Sequence, residues 1–246
     1  VYEEPFVCAG GREKCDRKCT ISRIRMDGKV YPFGGVCNKY YNIISRNKDV
    51  DVASLDLVAL REKLLFETAG RFVPEAVKPN GKRIGINLSL MTNTLLPLYE
   101  GFFRTLGYEL VLPDGTDPEG CLMEGAAFCW PVEQAHGTLK TLLDKKPDAV
   151  FLPHIKAFPV PGGDDVRVSC PFVQSEPYTL KAAFPELSEL DVLSPVLDMT
   201  KGYEAAEPDF MEMGRRLGHN DREIRLAFEA GLKAQRAFHE ACREAR

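Results

Sequence analysis

Apolar and polar residues follow two different rules along this chain, and the change between them falls near residue 82. Before it, residues 20–26 (Thr-Ile-Ser-Arg-Ile-Arg-Met) alternate as a half-buried strand does, and Asp27-Gly28 separates them from a second such run at 29–33. Asp-Gly between two alternating runs predicts a hairpin, because both residues readily take the positive φ of a tight turn. Residues 56–66 have helical spacing, with Leu57, Leu60, Leu64 and Leu65 on one face and Arg61-Glu62-Lys63 forming a solvated one. Pro79-Asn80-Gly81 closes a linker over 74–82.

Beyond that point, short apolar runs alternate with amphipathic stretches. Strands are predicted at 83–87, 108–112 and 148–153, a fourth at 166–169, and a strand-like run at 191–197. Helices are predicted at 95–106, 131–145, after 175–178, at 204–217 and at 221–245. In the last, Ile224, Ala227, Phe228, Leu232, Phe238 and Cys242 form the apolar stripe, and Asn220 or Asp221 is the N-cap. Strand–helix alternation argues an α/β fold with a parallel, doubly wound sheet of the Rossmann or flavodoxin type, whose ligands sit beyond the carboxyl ends of the strands. The expected organisation is a small N-terminal unit at 1–45, a helical connector at 46–81, and an α/β domain with C-terminal helices at 82–246.

Composition narrows the function. With 44% hydrophobic residues in 246, the chain can bury a real core, and a net charge of −4 gives no general attraction to nucleic acid or anionic membrane. No apolar run reaches the roughly 20 residues of a membrane span, and no signal peptide is visible. Because the first residue is Val1, a piece of a longer polypeptide is expected. Neither a Gly-x-Gly-x-x-Gly fingerprint nor a Walker-type phosphate loop is present, so the chain is not itself an ATPase of that class. Eight cysteines are too clustered to be incidental and too few for a disulfide scaffold, which points to metal ligation in a reducing, cytoplasmic setting.

Four of those cysteines, Cys8, Cys15, Cys19 and Cys37, bracket the predicted hairpin. The turn at Asp27-Gly28 would swing Cys37 back toward Cys15 and Cys19, with Gly34 and Gly35 letting the backbone bend closely around an ion. Four thiolates on such a knuckle and hairpin can hold tetrahedral zinc or a four-iron cluster, and spacing does not decide between them.

Two further cysteines precede prolines at the ends of strand-like runs. Cys129 lies in Phe128-Cys129-Trp130-Pro131, Cys170 in Ser169-Cys170-Pro171. Proline suits the first helical position, so Cys129 is expected at a helix N-terminus, where the helix dipole favours ligation of a metal or cluster, and Cys170 likewise stands directly before a proline. Trp130 is expected as a lid over the site. Cys121 reads as a buried thiol, Cys242 as core, and His136 and His154 as packed or capping groups rather than ligands.

Phe128-Cys129-Trp130-Pro131 with Ala135-His136-Gly137, and Ser169-Cys170-Pro171-Phe172-Val173-Gln174, resemble the paired cysteine motifs of 2-hydroxyacyl-CoA dehydratase-like proteins. More narrowly, they resemble the dehydratase-like part of large CoA-substrate-specific enzyme activases, a domain of unknown function fused behind ATPase modules of the benzoyl-CoA reductase and hydroxyglutaryl-CoA dehydratase activator type. The resemblance covers about residues 5 to 185 and implies that Cys129 and Cys170 bind an iron–sulfur cluster of the 4Fe-4S type. Relatives often carry lysine where Glu133 stands, so no substrate-binding role is carried over to that position. The implied partners are ATPase activator modules, fused or separate, and a further dehydratase-like lobe. Two thiols do not complete a four-iron cluster. The remaining ligands are Cys121, His136 or a segment beyond Arg246, and the last is preferred because the family continues into another lobe.

The expected function is an iron–sulfur module that holds or relays low-potential electrons for ATP-coupled dehydration or reduction of an acyl-CoA. The alternative is a zinc-stabilised binding or scaffold module with a dehydratase-like fold and no catalysis of its own.

Overall fold

The computed structural model describes residues 1–10, 15–37, 39–40, 56–125, 129–160 and 167–245. It divides into two compact units, Val1–Leu57 and Val58–Arg246.

The first unit is a three-stranded antiparallel sheet of β1 (Tyr2–Val7), β2 (Thr20–Met26) and β3 (Lys29–Phe33), in that order. The hairpin forms as expected: Met26 pairs with Lys29, and Asp27 and Gly28 both take positive φ, 49° and 78°. Strand β1 was not predicted, because Glu-Glu-Pro breaks its alternation. The structure tolerates Pro5 on an edge strand, where the register shifts between Glu3 and Phe6. Ile21 is the one described side chain of this unit that is fully buried.

The second unit opens with α1 (Leu57–Thr68) and continues β4 (Arg83–Ile86), α2 (Thr92–Thr105), β5 (Glu109–Val111), α3 (Pro118–Leu122) and α4 (Trp130–Asp144). Then follow β6 (Ala149–Phe151), β7 (His154–Ala157), α5 (Pro171–Ala183), β8 (Asp191–Leu193), β9 (Val196–Asp198), α6 (Glu207–Arg216) and α7 (Asp221–Glu244). The main sheet is parallel with order β5-β4-β6-β8, so the chain winds one way from β4 to β5 and the other way from β6 to β8. Alternate strand residues face opposite sides. Ile84, Ile86, Phe151 and Leu193 pack with α2, α6 and α7, while Val111, Val150 and Leu152 pack with α4 and α5. The result is the doubly wound, three-layer arrangement that the periodicity implied.

Four expectations change. The run at 148–153 ends at Phe151 and restarts as β7, and the run at 191–197 splits into β8 and β9. In each case a proline, Pro153 or Pro195, interrupts the strand. The pairing nonetheless carries on, through the Leu152 amide donating to Leu193 and the His154 amide to Pro195, into a second parallel ladder of β7 and β9. The fourth strand expected at 166–169 is only an isolated bridge between Val168 and Ala157. On α1, Leu65 is buried but Leu57 is exposed, so the predicted leucine face is only partly used.

Helices α2 and α7 cross at glycines: a Cβ on Gly101 would lie 2.6 Å from the Cα of Gly231. At the same contact the buried Gln235 completes the rung that Pro97 disturbs. Its Nε2 donates to the Thr94 carbonyl at 2.9 Å, and its Oε1 accepts from the Leu98 amide at 3.3 Å. A capping box at Asn220 and Glu223 starts α7, and Ile224, Ala227, Phe228, Leu232 and Phe238 are buried on its stripe, with Cys242 packed against them.

Candidate functional site

The winding direction reverses between β4 and β6, and the carboxyl ends of these strands open the crevice in which ligands of such sheets bind. Both cysteine motifs lead to this edge. Cys129 is the N-cap of α4 and Cys170 the N-cap of α5, and neither has a side-chain capping bond. Cys129 is half-buried and Cys170 exposed. The backbone before Cys170 is tied down: the Ser169 hydroxyl donates to the Ile155 carbonyl, and Gln174 Nε2 donates to the Ser169 carbonyl at 2.8 Å.

Behind the cysteines lies a buried polar cluster at the end of β4. The Asn87 amide donates to the Ala135 carbonyl of α4 and to Ser89 Oγ, each at 3.0 Å, and the Ser89 hydroxyl donates to the Glu176 carboxyl of α5. One strand end therefore grips both cysteine-bearing helices, about two turns beyond each N-cap. Burial pushes Glu176 up to about 7, against the hydrogen bonds of Ser89 and Asn87, which favour its charged form.

The residues around the cysteines occupy packed positions. His136 Nδ1 lies 2.8 Å from the Val132 carbonyl, and His154 Nδ1 lies 2.9 Å from the Gln174 carbonyl. Cys121 accepts from Gln134 Nε2 at 3.7 Å, and burial raises its thiol above the ordinary range. Trp130 does not act as a lid within this chain, since 67% of it is exposed.

In the first unit, the four cysteines lie around one end of the small sheet. The Cys8 amide donates to the Cys19 carbonyl at 2.9 Å, a Cβ on Gly10 would meet the Cys15 carbonyl oxygen, and one on Gly35 would sit 3.7 Å from the Cys19 Cβ. The Cys8 sulfur accepts from the Tyr40 hydroxyl at 3.3 Å and from the Gly10 amide at 3.4 Å. These two bonds, Tyr40 first, lower the Cys8 thiol below its ordinary range, with Lys39 adding to the effect. The knuckle itself is not confirmed. Among the described residues no group of three or more Cys, His, Asp or Glu converges as a metal site, either here or around Cys129 and Cys170.

The family described as a CoA enzyme activase uncharacterised domain matches residues 83–246. The chain belongs to this family. No curated protein and no solved structure matches it. The match begins at the first residue of β4, so the activase-related domain comprises the parallel sheet and its helices. Among the described residues of this domain, no helix is long and apolar enough to cross a membrane.

Three residues of the activase-related domain escaped the sequence reading: Asn87, Ser89 and Glu176. For Glu176 a signal existed, since it shares the buried stripe of α5 with Val173, Pro177 and Leu180, an acidic residue at an apolar helical position. The sequence pattern hides it by placing the helix start after residue 178, whereas α5 begins at Pro171.

Proposed function

We propose that this chain is the iron–sulfur module of a 2-hydroxyacyl-CoA dehydratase- and activase-type system. In this reading it holds or relays low-potential electrons for ATP-coupled radical dehydration or reduction of an acyl-CoA. The supporting observation is that Cys129 and Cys170, free thiols without capping bonds, head the two helices that one strand end braces beside the sheet's switch point. Their chemistry suits an iron–sulfur cluster, which when bound supplies one-electron transfer at low potential. Their number does not complete one, so the remaining ligands come from outside the described residues, from a further dehydratase-like lobe or another segment. ATPase activator modules, fused or separate, are the partners that would couple ATP hydrolysis to electron delivery.

This chain's own residues have definable tasks. Cys129 and Cys170 ligate. Ser169 and Gln174 hold Cys170 in place, and Asn87, Ser89 and Glu176 set how far apart the two helix N-termini stand. In the first unit, Cys8, Cys15, Cys19 and Cys37 would hold a second group, zinc or a four-iron cluster, with Tyr40 and the Gly10 amide stabilising the Cys8 thiolate.

Iron, sulfide and zinc analysis of protein purified without oxygen tests the proposal. Bound iron and sulfide with visible absorption that dithionite bleaches, reduced in Cys129→Ser and Cys170→Ser, supports it. A colourless protein containing only zinc, or a cluster indifferent to both substitutions, overturns it in favour of a zinc-stabilised scaffold.

A further inference from the structure

The contact between α2 and α7 includes a histidine whose hydrogen bonds dictate its charge. Gln235 reaches from α7 into α2, and its two backbone partners fix which way its amide points. Its Oε1 faces the Leu98 amide, which only donates, and its Nε2 faces the Thr94 carbonyl, which only accepts. That same Nε2 lies 3.0 Å from His239 Nε2. A contact this short is favourable only where the ring nitrogen carries a lone pair, so His239 is neutral with its proton on Nδ1. Tyr203 adds a second donor: its hydroxyl lies 2.8 Å from the same ring nitrogen, and burial raises its own pKa, so the proton stays on it.

The groups around the imidazole favour the same state. Burial pushes the His239 pKa below its ordinary 6.5, and the charges next in effect, Arg243 of α7 and Arg61 of α1, are both positive. On the side of the short turn Tyr203–Ala206 the titratable neighbour is Tyr203, and the carboxylate of that turn, Glu204, is paired with Arg236. At this contact α2 presents Thr94 and Leu98, neither of which titrates. A proton added at His239 Nε2 turns the acceptor into a third donor. Tyr203 can answer by turning its hydroxyl to accept. Gln235 cannot, because reversing its amide would set Oε1 against the Thr94 carbonyl and its N–H groups against the Leu98 amide. Gln235 and the charged ring must then part.

We propose that His239 is an acid-sensitive latch on this helix pair: proton uptake breaks the Tyr203–His239–Gln235 chain and loosens the rung of α2 that Gln235 completes beside Pro97. Because the folded ring resists protonation, the stabilisation is fully present above 6.5 and is lost as pH falls through the lower folded value. The latch goes beyond the cluster reading and does not depend on it, since no cysteine takes part.

Nitrogen NMR of the full chain reads the ring directly. The Nδ1–H tautomer is expected at neutral pH, with a titration midpoint below 6.5 that rises in Tyr203→Phe, where the neutral ring loses a donor. Hydrogen exchange reads the rung. As pH passes down through the measured His239 midpoint, protection of the Leu98 amide, corrected for its intrinsic rate, should fall by about fivefold or more, the loss of one hydrogen bond. His239→Gln, which cannot take up the proton, should show no such step. An Nε2–H tautomer, a midpoint at or above 6.5, a midpoint unmoved in Tyr203→Phe, or Leu98 protection that survives protonation of His239 would overturn the proposal. The tautomer, the midpoint and the Leu98 step are all read in the parent protein, so the test holds whether or not either variant folds.

Discussion

Ser89 donates its hydroxyl proton to Glu176 across 87 residues of sequence, joining the end of a central strand to the inside of a helix on the sheet's far edge. Both side chains are more than nine-tenths buried, which makes this contact the most consequential polar interaction in the domain.

The pH dependence of stability should report it. Burial raises the Glu176 pKa from 4.5 to about 7, so the folded protein holds this proton more tightly than the unfolded chain does. The contribution is complete below the unfolded value and is lost as pH rises through the folded one. Glu176→Gln removes the titration, so its unfolding free energy relative to the parent should grow by on the order of 3 kcal/mol between about pH 5 and 8. Urea unfolding of both proteins across that range checks it; curves that stay parallel would contradict the assignment.

Gln235→Leu should destabilise the domain by about 3 kcal/mol, because it strips partners from the Thr94 carbonyl and the Leu98 amide inside a packed helix contact. Thermal or urea denaturation measures the loss. A change within a few tenths of a kcal/mol would mean that α2 recloses its own rung despite Pro97.

Gly231→Ala is expected to cost about 2–3 kcal/mol or more, since the added methyl would collide with the Leu98 carbonyl of α2 and drive the helices apart. Gly115→Ala, whose methyl would meet nothing within 4 Å, is the matched control and should be near neutral. Equal stabilities of the two variants would show that α2 and α7 separate without penalty.

The N-terminal unit has a single fully buried side chain, Ile21, among its described residues, so a bound metal should supply much of its folding energy. Chelator treatment, or Cys15→Ala, should expose residues 1–57 to protease while the sheet domain from residue 83 stays protected. Resistance equal to that of the untreated parent would show that the unit folds without metal.

What could be read in advance depended on how local its cause is. The Asp27-Gly28 hairpin, the N-cap of α7 and its apolar stripe rest on residues a few positions apart, and all three are present. Strand β1 was illegible because Pro5 and two glutamates hide an edge strand, whose pairing needs only its partner. Prolines 153 and 195 signal strand ends, and nothing local reveals that the ladder resumes past both. Cys129 could be assigned to a helix start because proline at the first helical turn is a local rule, and the same rule holds at Pro171, where α5 begins although the sequence pattern placed its start after residue 178. Cysteine spacing in the first unit does not specify where each sulfur points, and the expected convergence of Cys8, Cys15, Cys19 and Cys37 on one ion is not found among the described residues. The brace at Asn87, Ser89 and Glu176 joins three separate elements, and only Glu176 betrayed itself, as a charge on an apolar stripe.

The ladder that resumes as β7 and β9 also makes the crevice unequal in its tolerance of change. On the side of β5 the strand ends in a connection that can lengthen or shorten without disturbing pairing. On the side of β6 and β8 the backbone keeps its partner past Pro153 and Pro195, so an insertion there would unzip a pair of strands. Diversification of this edge, in nature or by engineering, therefore has one permissive flank and one that must be kept as it is.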